Sequence, residues 1–170
     1  MRHPARGSAL NNLSLGLRDR FQQTGHLEDL DESIQLIKEA LLLHPMGHPA
    51  RGVVLNNLSE GLQKRFGQTG HLEDLDEFIQ LNREALLLHP MGHVDRGYLL
   101  HNLSAGLGTR FMQTGQMDDL DESIQLNRDA LLLCPVGHPD RGSLLNNLSA
   151  GLGNRFQQAG HVEDIDESIQ

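Results

Sequence analysis

The 170-residue sequence predicts an all-α solenoid, a row of stacked antiparallel helix pairs, on three observations. The segment Leu55-Asn56-Asn57-Leu58-Ser59 returns every 45 residues, as Leu10 to Ser14, Leu100 to Ser104 and Leu145 to Ser149. Apolar residues inside each copy recur at helical spacing, since Leu10, Leu13, Leu17 and Phe21 fall at i, i+3, i+7 and i+11 and so line one side of a helix at about 100° per residue. Glycines and prolines punctuate the copies at fixed places: Gly25, Gly70, Gly115 and Gly160 after the first helical pattern, and Pro45, Pro90 and Pro135 after the second. A fixed period of this length builds a row of small cores, each unit burying its apolar side against the next.

The units run over 3–47, 48–92, 93–137 and 138–170, the last being truncated. Units one and two are identical at 36 of 45 positions, so they are duplicated segments and the chain is expected to belong to a longer array. Helix A of each unit is expected to start with Pro4, Pro49 or Pro139 at its first position, where a missing N–H costs nothing, or just after Gly7, Gly52 and their copies; Val94 weakens the start in unit three. It ends at the glycine that follows Gln-Thr or Gln-Ala. Helix B is expected to start with Asp29 as N-cap and Glu32 closing a capping box, and to run to Leu43 on a stripe of Leu30, Ile34, Ile37 and Leu41, which Asn82 and Asn127 interrupt in the next units.

Composition excludes several classes. The formal net charge is −9, no Lys/Arg cluster exists, and acidic runs such as Glu28, Asp29, Asp31 and Glu32 are unsuited to nucleic acid or an anionic membrane surface. No apolar run approaches the ~20 residues of a spanning helix, and the opening residues 1–7 lack a secretory apolar segment, so a soluble, cytoplasmic chain is expected. Cys134 is the single cysteine. It stands where other units have His44 and His89, and neither a disulfide nor dedicated thiol chemistry follows from it.

A two-helix unit with Leu-x-x-x-Leu on helix A, a glycine at the turn, and Ala40-Leu41 followed by Pro45 resembles the tetratricopeptide repeat (TPR). His48-Pro49-Ala50 ahead of Leu55 to Ser59 is similar to the long repeats of kinesin light chain. Arg65-Phe66, Thr69-Gly70 and Asp74 to Glu77 together resemble the arrays beside CHAT protease domains in fungi and bacteria. The resemblance spans the whole chain and implies a right-handed α-solenoid, not an enzyme, acting as a protein-interaction scaffold. It also implies that the second side of helix A lines a concave groove for an extended peptide, with an asparagine before the helix-A leucine contacting the peptide backbone.

That position is matched by Asn12, Asn57, Asn102 and Asn147, beside Asn11, Asn56, His101 and Asn146. The same side of helix A carries Ser8, Val53, Tyr98, Glu60 and Lys64, and five of the nine differences between units one and two fall on or beside it. An amide both donates and accepts, so it can pair with any peptide backbone. The competing reading is that these asparagines tie neighbouring helices together. Charged positions are confined to the first two units (Arg18, Asp19, Glu60 and Lys64), whereas units three and four offer Ala105, Gly108, Thr109, Ala150, Gly153 and Asn154. A ligand is therefore expected to be charged over one half and small or apolar over the other.

Arg20, Arg65, Arg110 and Arg155 are expected to pair with Asp29 or Asp31 and their copies, locking helix A to helix B, with an anion-binding ladder as the alternative. His44 and His48, and His89 and His93, are four apart, but proline and glycine between them make a turn and no metal is expected, nor any other cofactor. Every candidate group recurs in several units, whereas catalytic groups are normally singular. The alternative function is an architectural, self-assembling array without a peptide ligand, associating head to tail through uncovered end surfaces at Leu145, Leu148 and Leu152.

Overall fold

A computed structural model describes residues 5–93 and 95–169. Pro4 and Val94, on which helix starts were read, lie outside the described residues, as does Gln170 at the end of the last helix. Eight helices are found among the described residues and no strand: α1 (Ala5–Thr24), α2 (Leu27–Leu43), α3 (Arg51–Thr69), α4 (Leu72–Leu88), α5 (Arg96–Thr114), α6 (Met117–Leu133), α7 (Arg141–Ala159) and α8 (Glu163–Ile169).

The A helices (α1, α3, α5, α7) end where the sequence predicts. Gly70, Gly115 and Gly160 take the left-handed conformation at φ 69°, 72° and 72°, and the Gly70 N–H donates to the Phe66 carbonyl. Thr24 pins the same turn in α1, donating to the Arg20 carbonyl at 2.9 Å and accepting from the His26 amide at 3.3 Å. The starts of α3 and α7 fall between the two expected positions, the proline and the glycine. Pro49 and Pro139 precede the helix in a turn, and α3 and α7 begin at Arg51 and Arg141. The expected capping box is also absent, because α2 starts two residues before Asp29, its N-cap His26 makes no side-chain bond, and the Asp29 carboxylate is held instead by Arg20.

The chain divides into two compact units, Met1–Leu81 and Asn82–Gln170, with α4 crossing the boundary. In the first, α1 packs on α2 and α2 on α3. Leu30, Ile34, Leu58 and Leu62 are fully buried there. Gly61 lets α3 close on α2, for a Cβ at this position would lie 3.1 Å from Ile34 Cγ1. Ser33 Oγ donates to the Ser14 carbonyl at 2.8 Å, a bond that small residues permit between tightly packed helices.

The second unit has two apolar clusters, Phe111, Leu120, Ile124, Leu148 and Leu152, and Leu100, Ala130, Cys134 and Leu144. Gly151 makes the closest approach, since a Cβ would stand 2.9 Å from Ile124 Cγ1. The asparagine that interrupts the helix-B stripe is buried and satisfied: Asn127 accepts from Ser104 Oγ at 3.0 Å and donates to the Ser123 carbonyl at 3.0 Å. A buried amide with both ends paired costs little, so the stripe survives the interruption.

One expectation fails at α1. The register of Leu13 predicts a core position, yet it is 55% exposed, whereas Leu58 at the same register of α3 is 1% exposed. Within the first unit α3 has α1 and α2 packed beside it, and no described helix precedes α1 to cover Leu13.

Candidate functional site

The constant arginines are scaffold. Arg20, Arg65, Arg110 and Arg155 each clasp an aspartate at the start of the following helix, through Nε to Asp29, Asp74, Asp119 and Asp164 at 2.7–2.8 Å and through Nη2 to the second oxygen. Arg65 and Arg155 use their remaining nitrogen on Asp31 and Asp121, at 2.8 and 2.9 Å, so one guanidinium ties three helices. The hydrogen bonds from Arg155 hold the Asp164 carboxyl below the usual carboxylate range, and those from Arg20 do the same to Asp29. A second ladder runs between successive B helices, Lys38 to Glu77 in the first unit and Arg83 to Glu122 and Arg128 to Glu167 in the second. With their charges so engaged, these arginines do not form an anion-binding row.

The variable side of helix A differs between the two units. In the first, Asn57 Nδ2 donates to Asn11 Oδ1 at 2.8 Å, which couples α3 to α1. Arg18 lies beside them, 2.9 Å from the Glu60 carboxylate and donating to the Asn57 carbonyl at 3.4 Å. Two of the four charged positions expected to meet a ligand are thus paired with each other. Ser8, Asn11, Asn12 and Val53 come together with His44 around a small cleft of about 140 Å³. Asn12 and Asn56 are exposed, while Lys64 is half-buried on α3.

In the second unit the side chains that closed this surface are gone. Ala105, Gly108, Thr109 and Met112 of α5 face Asn147, Ala150 and Asn154 of α7 across an open cleft of about 390 Å³ with Phe111 and Leu120 at its floor. The cleft exists because Gly108 stands in place of Arg18 and Ala150 in place of Glu60, leaving between the helices the volume of two long side chains. The side chains of Asn102 and Asn147 have no hydrogen-bond partner among the described residues, in contrast to Asn57. His101 is half-buried with Nδ1 unpartnered, and Asn146 is exposed. Tyr98 lines a different cleft, near the turn before α5, with His93 and Asp95.

No protein-family profile matches the sequence, and no curated protein matches it. Solved structures do. The chain superposes on a protein of Podosopora anserina described as a kinesin light chain with nearly identical TPR-like repeats, at a TM-score of 0.59 and 19% identity, covering 99% of this chain and 76% of that one. A de novo designed helical repeat protein aligns at 0.55 and 16% identity over 98% of this chain and 89% of its own. A chain of the DHF79 filament aligns at 0.51 and 16% over 96% and 95%. The fold is that of the TPR-like helical-repeat solenoids. No helix among the described residues is long and apolar enough to cross a membrane.

Proposed function

We propose that the chain is a non-enzymatic protein-interaction scaffold, in a reducing compartment such as the cytoplasm, and that the cleft between α5 and α7 takes an extended segment of a partner. The observation that carries this reading is the cleft itself, walled by small side chains and edged by an unpartnered amide at Asn147. Small walls admit a peptide main chain and short apolar side chains, and Asn147 can donate to a carbonyl and accept from an N–H of that main chain whatever its sequence. The preferred ligand is uncharged where it enters the cleft, because no Lys, Arg, Asp or Glu lines it.

The test selects extended peptides from a random library on the intact chain and measures the selected ones by calorimetry. Ala150→Phe, at an exposed helical position, fills the cleft and is expected to abolish binding while leaving helicity unchanged. Asn147→Ala should weaken it by about 1–3 kcal/mol through the loss of a partner for a buried ligand carbonyl. Selected peptides that bind Ala150→Phe as well as the parent would overturn the assignment.

A second reading, head-to-tail association of copies, draws on uncovered apolar residues. Leu145 of α7 is 45% exposed although Leu55 and Leu100 at the same register are 1% and 4% exposed, and Leu13 is uncovered on α1. Leu148 and Leu152, expected to be bare, are buried. If Leu13 and Leu145 mate between copies, light scattering should show concentration-dependent growth that Leu13→Lys abolishes. A monomeric parent at all concentrations would remove this reading.

A further inference from the structure

The turn between α4 and α5 carries a cluster that no binding role has yet absorbed. We propose that His89, His93 and Asp95 form a binding site for a divalent transition-metal ion of the zinc type. The ligand atoms of these three residues lie within 4.8 Å of one another, and among the described residues no other group of three such side chains converges in this way. The turn Pro90-Met91-Gly92, with Gly92 at φ 88°, folds His93 back onto His89, so the ring centroids stand 4.3 Å apart, edge to face, at 87°. Proline and glycine between the histidines, which argued against ligation on a helix, are therefore what brings them together.

The hydrogen bonds prepare the donors. His89 Nδ1 lies 2.7 Å from the Ala85 carbonyl oxygen. A carbonyl can only accept, so Nδ1 carries the proton and Nε2 keeps its lone pair, the arrangement that orients a metal-ligating histidine. His93 Nδ1 faces the Asp95 carboxylate with Oδ2 3.8 Å away, too far for a hydrogen bond. Two ligands held at about 2.0–2.1 Å by one tetrahedral zinc ion stand roughly 3.3 Å apart, so a small rotation of either side chain closes the pair around an ion. That ion would replace the long 3.2 Å bond that Nδ1 accepts from the Asp95 amide. His93 and Asp95 also line an open cleft of about 350 Å³, which gives an ion access and room for water at its remaining position.

Two imidazoles and one carboxylate suit zinc and its neighbours better than calcium or magnesium, which prefer all-oxygen shells. An overall charge of −9 favours any cation. The first unit supplies an internal comparison. His44 and His48 pack in the same way, centroids 4.4 Å apart, with His44 Nδ1 2.6 Å from the Ala40 carbonyl, but Ala50 stands where Asp95 does and His44 is buried. The first unit therefore has the imidazole pair without the carboxylate.

The experiment titrates the intact chain with zinc by calorimetry and follows thermal unfolding with and without the ion. One ion per chain is expected, with a rise in Tm on loading. His93→Ala and Asp95→Asn should each weaken zinc binding at least about tenfold and abolish the Tm rise, whereas His48→Ala should leave both unchanged. Asp95 is exposed and makes no capping bond, so its asparagine variant should keep parental helicity by circular dichroism. With cobalt as probe, the parent should show the visible absorption of a tetrahedral site and Asp95→Asn should not. The assignment is overturned if the parent binds no ion, if Asp95→Asn binds zinc like the parent, or if His48→Ala loses as much affinity as His93→Ala.

Discussion

Leu58→Ala should lower the free energy of unfolding by about 2–5 kcal/mol, while Leu13→Ala, the same substitution at the same register of the repeat, should change it by no more than about 0.5 kcal/mol. Leu58 is 1% exposed on α3, which packs against α1 and α2, so removing three carbons leaves a cavity that the surrounding helices cannot fully close. Leu13 is 55% exposed, and water already occupies the space a truncation would open. Urea unfolding followed by circular dichroism measures both. Equal losses would mean that Leu13 is covered in solution, which only another copy or further chain could do, and the comparison thereby reports on self-association as well as packing.

The second large effect is expected at Arg65. Its guanidinium donates to both oxygens of Asp74, at 2.8 and 2.5 Å, and to Asp31 at 2.8 Å, and the Asp74 side chain is only 4% exposed. Arg65→Met keeps the aliphatic stem but strands that carboxylate without its cation, which should cost about 3 kcal/mol. Pairing the change with Asp74→Leu should recover much of the loss, because the penalty arises from the uncompensated charge and not from the absence of an ion pair as such. Lys38→Ala offers the contrast: Lys38 and Glu77 are each more than a third exposed, and breaking their bond should cost under about 1 kcal/mol. If Arg65→Met and Lys38→Ala prove equally mild in urea titrations, the arginine clasp is not a stability element.

These two residues also show what could be read in advance. Arg65 and Asp74 recur with every unit, nine residues apart across a glycine turn, and a bidentate pair between consecutive helices followed from that constancy. The helix ends were equally legible, since Gly70 and its copies adopt a backbone conformation other residues resist. The start of α2 was not, because Asp29 has two outlets for its carboxylate, the helix N-terminus and Arg20, and the sequence does not rank a local cap against a partner that only tertiary packing brings within 2.7 Å. The asparagines posed the same difficulty. Asn57 and Asn147 are equivalent in sequence, yet one is tied to Asn11 and the other borders an open cleft, the difference arising from side-chain volume on neighbouring helices. His93 and Asp95 were obscured for a geometrical reason, as spacing along a helix is a poor guide where the chain reverses.

The sameness of the clasps bears on how the chain finds its native pairing during folding. An arginine that meets its aspartate in one unit would meet an identical aspartate in another, so a mispaired A and B helix satisfies the same charges and nearly the same apolar side chains. Cohesion of this kind carries no address. Arg18 and Glu60 are different, for glutamine or glycine replaces the first in later units, and leucine or alanine replaces the second elsewhere. Their 2.9 Å contact can form only when α1 lies against α3. A modest, partly exposed ion pair thus marks the order of segments that the strongest contacts leave degenerate.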